Sequence, residues 1–138
     1  MPADVPWTIN ARGPAAPDEV WDRYLRPLRW PSWSPQIRWV EHVGALVVTG
    51  SRGTVHTVGG LRVPFEVLEV DARVPGRRSW TWVAQLPAGV RLRLQHVVEP
   101  AATRYVGGTK TVLRVQGPAL VVAAYLPVAW WALRRLVR

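Results

Sequence analysis

The last twenty-one residues, 118–138 (PALVVAAYLPVAWWALRRLVR), constrain this chain most. Everything upstream reads as short strands and turns, apart from one small helical patch near the N-terminus. A long apolar helix closing a strand-rich chain must bury one side on something. A curved antiparallel sheet is the surface such a chain can supply. Val122, Leu126, Trp130, Leu133 and Val137 share one stripe, predicted to face that sheet. Trp131 lies about 100° further round, beside Arg134, Arg135 and Arg138. It is expected to be half exposed, stacked by an arginine or held in a homodimer contact. Pro127 removes a backbone hydrogen bond and predicts a kink. Residues 117–133 carry no charge, but they fall just short of the roughly 18–20 residues that span a bilayer. A spanning helix would also leave the sheet without a core, so no stable membrane span is expected.

The strands are read from alternation. Residues 7–12 set Trp7, Ile9 and Ala11 against Thr8, Asn10 and Arg12. Pro17-Asp18-Glu19 then opens a short helix striped by Val20, Trp21, Tyr24 and Leu25. One helical turn is expected at 30–33. Further strands are expected at 37–43, with Ile37, Trp39 and Val43 on one face and Arg38, Val40 and His42 on the other, and at 54–58, 61–70, 79–86, 90–99 and 109–116. Pro64 suggests an edge or a bulge in its strand, and residues 74–77 form a turn. The cleanest period is Val90, Leu92, Leu94, His96, Val98 against Arg91, Arg93, Gln95, Val97, Glu99. Strands joined by short turns, with helices segregated to one side, give an α+β fold around an antiparallel sheet.

At 138 residues the chain suits one domain, 1–138, able to bury roughly 68–70% of its unfolded surface. Nine tryptophans could line a cavity as well as fill a core. The lack of cysteine excludes disulfide and thiolate chemistry. No leader is read at the Met1 end, so a cytoplasmic location is expected. The net charge of +9 comes from seventeen arginines and one lysine against nine acids. Most of the arginines upstream are scattered singly and several alternate with apolar residues, which reads as a solvated strand face rather than a nucleic-acid footprint.

Three stretches carry a likeness to known proteins. The first is Pro17-Asp18-Glu19-Val20-Trp21 leading to Trp30-Pro31-Ser32-Trp33-Ser34-Pro35. The second is residues 63–71 followed by Trp80-Thr81-Trp82, and the third is Gly108-Thr109-Lys110-Thr111-Val112-Leu113 before the final helix. In this order they resemble the START-like or Bet v 1-like (SRPBCC) superfamily, within it the polyketide cyclase/dehydrase and lipid-transport group. The resemblance implies a helix-grip fold: about seven antiparallel strands curved around the C-terminal helix, with two short helices after the first strand. It also implies a hydrophobic cavity between sheet and helix for a lipid, polyketide or aromatic metabolite.

No phosphate loop, H-E-x-x-H or G-x-S-x-G is present, and His42, His56 and His96 lie on separate predicted strands without metal-ligand spacing. No metal and no cofactor are expected. His96 is the one polar side chain set on an otherwise apolar strand face. Burial would keep its imidazole neutral, fit to orient a ligand or to act as a general base; the plainer reading is a core histidine satisfied by a neighbour. Glu69 breaks its strand's alternation and is either an inward partner for His96 or a bulge residue near solvent. Trp30, Trp33, Trp80 and Trp82 are the leading pocket-wall candidates. Phe65, Val67, Leu94, Thr109, Thr111, Leu113, Leu126 and Trp130 complete the expected ligand-binding set. The leading function is a carrier or sensor for a hydrophobic small molecule. The alternatives are a polyketide cyclase or dehydratase using His96, with Glu69 or a pocket hydroxyl, and a membrane-associated protein acting through the final helix.

Overall fold

The computed structural model describes residues 5–102 and 104–138. Its strands are β1 (Val5–Gly13), β2 (Ile37–His42), β3 (Arg52–Thr57), β4 (Arg62–Val74), β5 (Arg77–Gln85), β6 (Arg91–Pro100) and β7 (Thr109–Gly117). Two short helices, α1 (Pro17–Leu25) and α2 (Trp30–Trp33), follow β1, and α3 (Ala119–Leu136) follows β7. The strands form one antiparallel sheet in the order β1-β7-β6-β5-β4-β3-β2. The chain therefore leaves one edge of the sheet after β1, crosses through α1 and α2, and returns as the opposite edge. This is the helix-grip arrangement that the sequence likeness implied.

Local chemistry explains the elements. Pro17 opens α1 with Asp18 and Glu19 in its first turn, where the helix dipole favours acids. Between β4 and β5, Val74 pairs with Arg77 across Pro75-Gly76, and Gly76 has φ +76°. Proline then glycine with positive φ is the pattern of a type II turn. On β6 and β7 the alternation holds: Leu92, Leu94, His96 and Val98, then Thr109, Thr111, Leu113 and Val115, are buried.

Two bulges move residues off the faces that simple alternation predicts. Between Ile37 and Trp39 the β2 register slips by one. Trp39 is therefore exposed and stacks flat on His56 at 3.9 Å, while Val40 packs toward the core. Between Val67 and Glu69 the β4 register slips again. An inserted residue reverses every face after it. β4 is not an edge despite Pro64; it lies between β3 and β5.

The helix α3 runs unbroken through Pro127. Pro127 and Ala123, whose carbonyl the proline leaves without its helical partner, both lie on the exposed side of the helix. The buried side comprises Val122, Ala129, Ala132, Leu133 and Leu136, followed by Val137. Trp130, expected to face the sheet, is half exposed, and Arg134 stacks over its ring at 4.7 Å.

The C-terminal end of α3 is fastened to the N-terminal part of the chain. Arg23 Nη1 donates to the carbonyls of Leu136, at 2.5 Å, and Arg138, at 2.9 Å. Ala15 N–H donates to the Val137 carbonyl at 3.0 Å. A Cβ added to Gly13 would lie 2.1 Å from that same oxygen, so the approach of β1 to the helix end requires glycine.

Candidate functional site

Between the concave face of the sheet and α3 lies an open-mouthed cavity of about 210 Å³. Its lining is almost wholly apolar, and it owes its space to small residues. Ala129 and Ala132 face it from α3, with Val121, Tyr125 and Leu133, and Ala84 faces it from β5. The bulky Trp130 and Trp131 of the same helix point away.

One wall is aromatic. Trp80 and His96 are direct cross-strand partners on β5 and β6, and their rings stack at 4.8 Å and 13°. Trp82, two residues along β5, stacks on Trp80 at 5.6 Å and 8°. Trp30 of α2 leans on both indoles at 5.7 and 5.8 Å. Its Nε1–H donates to the Tyr24 carbonyl at 2.8 Å, and the Trp33 Nε1–H donates to the Arg23 carbonyl at 3.2 Å. These two bonds tie α2 to the end of α1 and hold both rings over the cavity. The mouth lies at the opposite end, where Gln36, Thr57, Leu61, Leu86, Val121 and Tyr125 are all partly or fully accessible.

His96 is buried and sits in a directional chain of hydrogen bonds. The Trp82 indole N–H donates to His96 Nε2 at 3.0 Å. An indole can only donate, so Nε2 is the unprotonated nitrogen and Nδ1 carries the hydrogen. Nδ1–H therefore donates to the Tyr24 hydroxyl at 3.2 Å. The Tyr24 hydroxyl shares a further hydrogen bond with the Thr111 hydroxyl at 2.5 Å. Burial pushes the imidazole down to about 3 and pushes the Tyr24 phenol well above its usual range. With its lone pair occupied and its conjugate acid that strong, His96 is a poor proton acceptor near neutral pH.

The expected site residues divide into three groups. Trp30, Trp33, Trp80, Trp82, Leu94, His96 and Leu113 line the cavity. Phe65, Val67, Thr109 and Thr111 are buried behind its surface. Phe65 backs Trp30 and Trp82, Thr109 donates to the Ala15 carbonyl, and Thr111 is screened by Tyr24. Leu126 packs at the flank of the core, and Trp130 lies outside. Glu69 is a correction: beyond the β4 bulge it pairs with Thr81 on the outer face, exposed and remote from His96. Tyr24, Gln36, Tyr125, Ala129 and Ala132 belong to the site and were missed. A tyrosine within an apolar helical stripe needs a buried partner for its hydroxyl, and that signal could have joined Tyr24 to His96. Among the described residues, no group of three or more His, Asp or Glu is arranged to hold a metal ion. Two polar atoms on lining residues, Trp80 Nε1 and Gln36 Oε1, are buried without a partner.

The model of the family described as polyketide cyclase / dehydrase and lipid transport matches residues 9–138. The chain belongs to that family, and a hydrophobic ligand-binding role goes with the membership. A comparison with curated proteins finds no match. Among solved structures, hypothetical protein jhp0584 from Helicobacter pylori is similar at TM-score 0.74 and 15% identity, over 99% of this chain and 87% of that one. Ara h 8.0201, a Bet v 1-like protein, is similar at TM-score 0.74 and 15% identity, over 96% and 95% of the two chains. Protein CV1439 from Chromobacterium violaceum is similar at TM-score 0.64 and 17% identity, over 96% and 94%. At these identities the likenesses show the fold.

Proposed function

We propose that this protein is a non-catalytic carrier or sensor for a small apolar ligand of one or two rings, or a short acyl chain. The carrying observation is the cavity of about 210 Å³ walled by Trp30, Trp33, Trp80 and Trp82. An apolar cavity of about 150 Å³ holds benzene, whereas drug-sized ligands occupy roughly 300–1,000 Å³. A sterol or a whole diacyl lipid is therefore too large, and a flat two-ring compound suits the space between stacked indoles and the alanine face of α3. A hydroxyl on such a ligand, left at the mouth, would meet the unpartnered oxygen of Gln36.

Support for carriage over cyclisation comes from the occupied nitrogens of His96 and the exposure of Glu69. The buried acid/base pair that an enolising cyclase would use is not assembled from these two residues.

Native mass spectrometry of the protein purified from cells tests for a retained ligand. Titration with 2-naphthol, followed by quenching of tryptophan emission, tests the size class. Saturable one-to-one quenching is expected. A protein that retains no mass and shows no saturable quenching up to millimolar 2-naphthol would refute the reading.

A further inference from the structure

The helix α3 is apolar on both sides, and the sheet covers only one. From residue 119 to residue 133 it carries no charge. Opposite the buried side runs a second stripe, Leu120, Ala123, Ala124, Pro127, Trp130 and Trp131, all exposed. Leu120 is 87% exposed, Trp130 47% and Trp131 53%. The stripe continues into Arg134 and Arg138, whose side chains make no ion pair among the described residues. A helix apolar all round is normally enclosed. One half of this helix has no protein cover.

We infer that this outer stripe docks, lying flat, on an acidic lipid surface. Tryptophan beside arginine is the chemistry of the bilayer interface. The indole settles at the headgroup level, while the guanidinium pairs with lipid phosphate. Arg134, stacked on Trp130, sets both groups at one point of the stripe. Charge decides the occupant: a chain of net charge +9 is drawn to an anionic bilayer and repelled by a second copy of itself. The helix lies on the bilayer rather than crossing it, because its other side is the cover of the sheet. The inference does not depend on what enters the cavity.

Flotation of the purified full chain with vesicles tests it, at about 100 mM salt, where screening is moderate. One set contains equal parts of phosphatidylglycerol and phosphatidylcholine, the other phosphatidylcholine alone. Partition onto the acidic vesicles should be at least ten-fold the stronger. Each arginine near such a surface is worth about a factor of five, so R134Q/R138Q should weaken binding about 25-fold. W130S/W131S should weaken it at least ten-fold. Circular dichroism and melting report folding. R134Q/R138Q alters two exposed side chains and decides the matter even if the tryptophan variant melts earlier. Equal partition onto both vesicle types, or binding undiminished in R134Q/R138Q, would overturn the inference. So would a lipid-free dimer in sedimentation velocity that W130S/W131S dissociates, since the stripe would then belong to a second copy.

Discussion

Lowering the pH below about 6.5 should destabilise the fold through His96. Unfolded, the imidazole titrates near 6.5; folded, burial holds it down to about 3. The unfolded chain therefore binds the extra proton, and stability rises with pH. The contribution is complete above pH 6.5 and is lost progressively as pH falls toward about 3. At pH 5 the unfolded imidazole has been protonated and the folded one has not. The loss there is about 2 kcal/mol, at 1.4 kcal/mol per unit of pH below 6.5. Urea unfolding at constant ionic strength, at pH 7.5, 6.5, 5.5 and 5.0, measures it. His96→Phe supplies the control. It keeps a ring to stack on Trp80 and leaves the Tyr24–Thr111 bond in place, but strands the Trp82 N–H. The variant should be less stable at pH 7.5 by about 1–3 kcal/mol, with a flatter pH dependence. Equal slopes in the two proteins between pH 6.5 and 5 would refute the reasoning, because His96 would then not be buried and neutral in solution.

Other outcomes follow from the same geometry. Nitrogen-15 NMR at pH 7 should find the hydrogen of His96 on Nδ1, since Nε2 accepts from Trp82; a hydrogen on Nε2 would contradict the bond chain. Ala132→Leu should project into the cavity and weaken 2-naphthol at least ten-fold by quenching titration, with no fall in melting temperature. Glu69→Gln should leave 2-naphthol affinity within two-fold of the parent, because the residue lies on the outer face. Gly13→Ala should cost about 3 kcal/mol in urea unfolding, since its Cβ would collide with the Val137 carbonyl.

How far the sequence disclosed the molecule can be judged from particular residues. β6 and β7 were legible because a period of two runs from Arg91 to Glu99, interrupted by the buried Val97, and unbroken from Thr109 to Gln116, and a buried face enforces it. Alternation places Trp39 on the face of Ile37 and leaves Glu69 between an inward position and a bulge near solvent. Both follow a bulge, which reverses every face beyond it and shows in the sequence only as the break in alternation at Glu69. The phase of α3 failed differently. With apolar residues all round, periodicity offers several equivalent stripes, and size favoured Trp130 over Ala129. The sheet takes the alanines because the cavity occupies the volume that tryptophans would fill. His96 was found as a polar interruption of an apolar face. Its partners could not be, since Trp82, Tyr24 and Thr111 come from three separate elements.

The Arg23 clasp on the last carbonyls of α3 bears on kinetics as well as stability. With its tail pinned to α1 and to the Ala15 amide, and its first turn joined to β7 through Gly117, the helix is anchored at both ends, and Val121 and Tyr125 form a rim beside the second anchor. Cargo would leave past Leu61 and Leu86 at that accessible rim. How long it stays would then be set by the few apolar contacts at the rim, while how tightly it is held would be set by the indoles at the far end. Residence time and affinity would thus be adjustable by different residues.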